Sequence, residues 1–300
     1  MKHSKLIAAL FACLLVAPAA SVSAANGNLP DYASDRATRA KALTQPYGWL
    51  SLTALEWLKP GATSVGSAPD NTLVLAGAPA HLVTFQQANG KVTVVASDPS
   101  LTLHGQSLAS AAHPAIGPGE DDTSALASGR LRMWVIDRSG RRYLRVKDPQ
   151  APTLKQFHGL RWYSPDPHLR IEARWVPDSP PHVMHVANEI GQVTSVPVPG
   201  HVEFELNGAK QTLWPLEADK DGLWFVFRDQ TYRQTTYGGG RFLTTDVPSN
   251  GLDHPGAVTL DFNQAVNPPC AYSPFATCPL ASPENRLPVA VPAGEKRYGE

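Results

Sequence analysis

Apolar and polar residues alternate with a period of two along most of this chain. Leu73-Val74-Leu75, Leu82 to Phe85 and Val92 to Ala96 are β-rich runs parted by Gly, Asn and Pro. Asn89-Gly90 between the last two is the signature of a two-residue hairpin turn, whose central positions need a positive φ. Leu131 to Asp137 and Arg142 to Lys147 flank Arg138-Ser139-Gly140, a second hairpin. Ile171 to Val176 and His182 to Val186 alternate as strands do. Val202, Phe204 and Leu206 alternate with Glu203 and Glu205, and Asn207-Gly208 turns the chain. Gln211 to Leu216 returns, Asp221-Gly222 turns again, and Leu223 to Arg228 completes a β-meander with one polar face. Arg241 to Thr245 and Ala257 to Asn263 read as further strands. The period becomes helical only over Pro30 to Leu43, where Ala33, Ala37, Ala40 and Leu43 recur. Pro30 or Asp31 suits its start and Pro46 stops it.

No βαβ alternation and no internal repeat occur, so the pattern predicts an all-β fold. The Pro-rich, polar stretch 148–168 divides it into two β-sandwich or barrel-like modules, residues 26–150 and 151–300. From Asn267 to Pro292 the chain carries seven prolines, which lack the donor a central strand needs. Tyr, Phe, Leu and Cys are interspersed there, unlike a disordered tail. The expectation is an ordered, extended strap wrapped over the meander.

Composition sharpens this picture. Charged residues are 17%, with 26 Lys+Arg against 26 Asp+Glu. A nucleic-acid binder would show a basic patch or stripe, so nucleic acid is not an expected partner. Lys2 and Lys5, the apolar run Leu6 to Ala17 and the small residues Val22-Ser23-Ala24-Ala25 read as a secretory signal peptide over residues 1–25, cleaved after Ala24 or Ala25. Leu10-Phe11-Ala12-Cys13 is a poor lipobox, and no later apolar run is long enough for a transmembrane segment. The expected product is periplasmic or extracellular. Cleavage removes Lys2 and Lys5, taking 26 basic residues to 24 against 26 acidic, and removes Cys13, leaving Cys270 and Cys278 of three cysteines. An even count in an exported chain reads as a disulfide. Closing so short a loop contributes about 2.5 kcal/mol on the chain-entropy estimate; free or catalytic thiols are the alternative.

The C-terminal block runs Phe227-Arg228-Asp229-Gln230-Thr231, Thr236-Tyr237-Gly238-Gly239-Gly240-Arg241-Phe242-Leu243 and Leu260-Asp261-Phe262-Asn263-Gln264-Ala265-Val266-Asn267-Pro268-Pro269-Cys270-Ala271-Tyr272. It ends with Cys278-Pro279-Leu280, Glu284-Asn285-Arg286-Leu287-Pro288 and Ala293-Gly294-Glu295-Lys296. With Gly48-Trp49-Leu50-Ser51-Leu52, this string resembles the "domain of unknown function 1684" family, which implies relatedness without a chemistry. Residues 60–147 carry a weaker resemblance to a forkhead-associated β-sandwich, in Gly66-Ser67, Asp70-Asn71, Ala78-Pro79-Ala80-His81, Asn89-Gly90 and His104-Gly105. Such domains hold phosphothreonine through an Arg and a Ser where this chain has Ser67 and Ala78, so the resemblance implies the fold, with a structural His81, and not phosphopeptide binding.

The densest polar cluster lies between Asp229 and Arg286. Gly238-Gly239-Gly240-Arg241 offers an anion nest, or else a hairpin turn. Asp229, Asp261 and Glu284 offer carboxylates for acid–base work, or else turn caps; Asp261 and Asn263 point to one face of a strand. The leading reading is a small polar or anionic ligand bound by Tyr237, Arg241, Asp261, Asn263, Glu284 and Asn285. A second is a hydrolytic enzyme using Arg241, Asp261 and Glu284, or Ser273 or Cys270 with His254 and Asp253 or Asp261, although no G-x-S-x-G elbow occurs. A third is a structural or protein-interaction role. His182 and His185 are three apart in a strand and face opposite ways, and no paired-His motif occurs, so neither a metal nor a cofactor is expected.

Overall fold

The computed structural model describes residues 29–108, 114–119 and 126–299. The expected leader, residues 1–25, lies outside these. Asp31 accepts the Ala33 N–H and caps helix α1, Tyr32–Leu43, which ends at Thr44. The strands that follow are short and turn tightly. They are β1 (Leu52–Trp57), β2 (Gly61–Gly66), β3 (Leu73–Val74), β4 (Val83–Ala88), β5 (Lys91–Ala96), β6 (Thr102–Leu103), β7 (Gln106–Ser107), β8 (Ala115–Ile116), β9 (Leu126–Ser128), β10 (Leu131–Arg138) and β11 (Arg141–Lys147). The φ values of Asn89 and Gly90 are 52° and 73°, and those of Ser139 and Gly140 are 51° and 80°, so both hairpin signals form left-handed turns.

Two sheets result, in strand orders β1-β11-β10-β9-β6-β7 and β3-β2-β4-β5-β8. Val65, Val83, Phe85 and Val94 of one face Ala54, Met133, Val135, Leu144 and Val146 of the other across a buried core. This is the β-sandwich arrangement that alternating strands demand.

The short helix α2 (Pro152–Lys155) begins the crossing to the second half, which comprises β12 (Arg170–Ala187), β13 (Val193–Leu206), β14 (Ala209–Leu213), β15 (Glu217–Asp219), β16 (Gly222–Phe227), β17 (Arg241–Thr245) and β18 (Gly256–Asp261). Ile171 to Val176 and His182 to Val186 are one 18-residue strand and not two. The Asn207-Gly208 hairpin forms, but Leu223–Phe227 does not continue its sheet. The sheets are β14-β13-β12-β18 and β15-β16-β17. They face each other through Val202, Phe204, Leu213, Leu223, Phe225, Phe227, Leu243 and Leu260. Burial explains the departure from a three-stranded meander: Leu223, Phe225 and Phe227 are all fully buried, and in a separate sheet they cover the apolar face of the first. Trp175, also fully buried, satisfies its indole N–H on the Leu252 carbonyl at 2.9 Å.

The Pro-rich tail is ordered, as expected. It makes isolated bridges from Val266 to Phe242, Pro279 to Asn188 and Arg286 to Arg228. Leu287, Val291 and Ala293 enter the core of the second half. Ala276 and Cys278 pack on Leu52, Trp134, Ile136 and Tyr143, so the strap also covers the outer face of the first sandwich. Cys270 and Cys278 are joined, with Cα atoms 6.1 Å apart. No helix of the described residues is long and apolar enough to cross a membrane.

Candidate functional site

Arg241 begins β17 and is 1% exposed. Its guanidinium donates to the Asp229 carboxylate at 2.6 Å, to the Val291 carbonyl at 3.0 Å and to the Ala293 carbonyl. The other Asp229 oxygen accepts the N–H groups of Thr231 at 2.8 Å and Val291 at 3.0 Å. A buried ion pair holds only when its remaining donors and acceptors are filled, and here the Thr231 N–H and the backbone of Val291 and Ala293 fill them. The glycines before it serve the same closure. Gly240 sits at φ +114°, and a Cβ there would lie 2.8 Å from the Phe227 carbonyl oxygen. Gly239 uses its carbonyl to accept the Ala281 N–H at 3.1 Å.

Asn263 and Asn285 act as paired clasps, each using its amide as a peptide substitute. Asn263 accepts from the Asp166 N–H at 2.8 Å and donates to the Asp166 carbonyl at 2.9 Å. Asn285 does the same to Trp214 at 2.9 and 2.7 Å and also donates to the Val226 carbonyl at 3.0 Å. Asp261 accepts from Asn263 and, at 2.7 Å, from the Tyr32 hydroxyl of α1. Tyr237 donates to Glu189 at 2.8 Å, and burial pushes its phenol well above the usual range. Ser273 is buried, its Oγ accepting from the Phe275 N–H, and Cys270 is in the disulfide; no hydrogen bond joins either to the exposed His254 among the described residues.

The six sequence-nominated ligand residues therefore fall into four settings. Asp261 and Asn263 sit together, Asn285 is clasped to Trp214 with its neighbour Glu284 beside His182, and Arg241 and Tyr237 each have their own partners. Among the described residues no group of His, Cys, Asp or Glu is arranged to hold a metal ion.

The Glu284 setting has the features of a ligand site. It arises from a break in the β12–β13 ladder. Pairing jumps from Pro177 opposite Gly200 to His182 opposite Val198, so residues 178–181 loop out against the single residue Pro199. Pro180 and Pro181 have no N–H to give the ladder, which forces the loop outward. The result is an open cleft of about 400 Å³ between this loop, His182, His201 and Trp214. Asp178 accepts from His201 Nδ1 at 2.9 Å. Trp214 lies 5.1 Å from the His182 ring and 5.4 Å from the His201 ring. The clasp of Asn285 on the Trp214 backbone brings Glu284 beside them, with Oε1 3.9 Å from His182 Nε2. Three polar atoms here are buried without a partner: His182 Nε2, Trp214 Nε1 and Glu284 Oε2.

Residues 155–296 match the family described as "Protein of unknown function (DUF1684)". The C-terminal part of this chain belongs to the DUF1684 family. The match takes in the cleft, the Arg241–Asp229 pair and the whole of the strap, while Gly48 to Leu52 lies outside it. The solution NMR structure of an uncharacterized protein of Haloarcula marismortui is 32% identical, over 47% of this chain and 78% of that chain, with a TM-score of 0.40. No curated protein matches the chain.

In this DUF1684 segment, the sequence nominated Glu284 and Asn285 but not Asp178, His201 or Trp214, and His182 entered only as a metal ligand. The available signal was Pro180-Pro181 between two alternating runs. It marks an outward loop within a strand, and such breaks often re-aim side chains beside a site.

Proposed function

We propose that this chain is an exported β-protein whose C-terminal module binds a small polar ligand in the Trp214 cleft. The observation that carries this reading is that two residues lining one open cleft, His182 and Trp214, each hold an unpartnered buried polar atom, with a third on Glu284, which contacts His182. Each costs about 1–3 kcal/mol while unsatisfied. A ligand hydroxyl would accept from the Trp214 indole N–H and donate to Glu284 Oε2, and His182 Nε2 serves as donor or acceptor according to its tautomer. Among the described residues no Lys or Arg lines the cleft, so it favours the neutral, polyhydroxylated end of the expected ligand range over the anionic end.

Ligand-observed NMR on the full chain, using neutral monosaccharides and polyols beside their carboxylated counterparts, tests this. The neutral compounds should bind, and Glu284→Gln and Trp214→Phe should each weaken them about tenfold or more, the worth of one lost buried hydrogen bond. Silence from the whole neutral panel, or variants that bind like wild type, would refute the reading. Export rests on the charged and apolar pattern of residues 1–25. The intact mass of protein recovered outside the cytoplasm should show cleavage after Ala24 or Ala25 and the loss of two hydrogens at Cys270 and Cys278; an uncleaved or fully reduced chain would contradict it.

A second reading, in which the cluster around Arg241 is structural, is favoured by one observation: the bonds of Arg241 to Asp229, Val291 and Ala293 all serve to hold the strap.

A further inference from the structure

Helix α1 offers a second cavity. Two of its residues are anchored: Tyr32 on Asp261 at 2.7 Å, and Arg39 on Glu295 at 2.7 Å and on the Asn267 carbonyl at 2.6 Å. Arg36, between them on the same face, is only partly satisfied. One terminal nitrogen donates to the Tyr163 carbonyl at 3.2 Å, while Nε is buried with no partner. The guanidinium carbon lies 4.8 Å from the Trp162 ring centroid and 5.8 Å from that of Tyr32. Here Tyr32, Arg36, Trp162, Gln264 and Val266 enclose a cavity of about 180 Å³.

We propose that this cavity is a binding site for a small organic anion, a carboxylate carried on an apolar or aromatic body. Three features point the same way. The planar guanidinium is held in place by two aromatic rings, and its fork matches a carboxylate. The lining also includes the Tyr32 and Trp162 rings and Val266, the apolar component small-molecule sites commonly carry. The volume suits the ligand, since a cavity of about 150 Å³ admits benzene. Burial also holds the Arg36 guanidinium below its ordinary pKa, the sign of a charge whose lost hydration is incompletely replaced. The rim carries Asp35, which is exposed, so an anion with a second negative group is disfavoured there. The site shares no lining residue with the Trp214 cleft and takes the opposite class of ligand.

The test is titration calorimetry of the full chain with benzoate, phenylacetate, indole-3-acetate and isovalerate, each against its own amide, at low salt. At least one acid should bind and its amide should bind about tenfold more weakly, the difference one charge-assisted contact makes. Arg36→Gln should remove that preference. Because Arg36→Gln also removes the bond to Tyr163, Gln264→Phe provides a second check. It fills the mouth, leaves Arg36 in place and should abolish binding with an unchanged circular dichroism spectrum. Amides that bind as tightly as acids, acids that bind Gln264→Phe at wild-type affinity, or no binding by any acid would each overturn the proposal.

Discussion

Arg241 and Asn285 show how single side chains hold this molecule together. Both lie in a sequence of polar and small residues that resembles a binding loop, and both spend their donors on backbone groups brought in from dozens of residues away. Arg241 closes on Asp229 and on carbonyls of the strap, with no solvent to share the charge. Arg241→Met would leave Asp229 buried and uncompensated, so a loss of about 3–5 kcal/mol of unfolding free energy is expected in urea titration. A loss under about 1 kcal/mol, the scale of an exposed pair, would mean that the pair is not buried in solution. The candidate residues were legible as types: Glu284 and Asn285 were singled out in the sequence. Their partners were not, because a hydrogen bond from Asn285 to the Trp214 carbonyl spans 71 positions and leaves no local periodicity.

At the scale of elements the sequence was read well wherever a local rule acts. Asn89-Gly90, Ser139-Gly140 and Asn207-Gly208 all turn where their positive φ requires it. Asp31 caps α1, and Arg241 to Thr245 is a strand to the residue. Two readings went astray for one reason. Ile171 to Val176 and His182 to Val186 looked like separate strands because Pro180 and Pro181 interrupt the pattern, yet β13 pairs across both sides of the break. Leu223 to Arg228 looked like the third strand of a meander because it follows a turn, yet it joins another sheet. Strand pairing is a non-local choice, settled by which apolar faces cover each other.

At the scale of the molecule, Glu295 is where the parts meet. It is fully buried, accepts from Arg39 of α1 and from Asn267 and Tyr272 of the strap, and its own N–H donates to the Ala265 carbonyl. Burial pushes its carboxyl above the ordinary 4.5 despite the lowering pull of Arg39 and Asn267. A folded-state pKa above the unfolded one means that the native state holds its proton more tightly. That contribution to stability is fully present below the unfolded pKa and is lost as pH rises through the folded one. Unfolding free energies measured from about pH 4 to about pH 8 should therefore fall with rising pH through a window beginning near the ordinary glutamate value. Glu295→Gln should flatten that slope; an identical slope in the variant would assign it to another group.

The chain by itself determined the all-β class, most of the turns, the N-terminal helix and the presence of an ordered Pro-rich strap, because period, turn chemistry and missing donors are properties of neighbours in sequence. Tertiary structure alone decided which sheet received Leu223 to Phe227, that the strap would cover both halves, and that Glu284 would meet His182 and Asn285 clasp Trp214 while Arg241 turned inward. Those outcomes depend on burying apolar faces and satisfying buried charges across long separations, and both are settled only when the sheets close on one another.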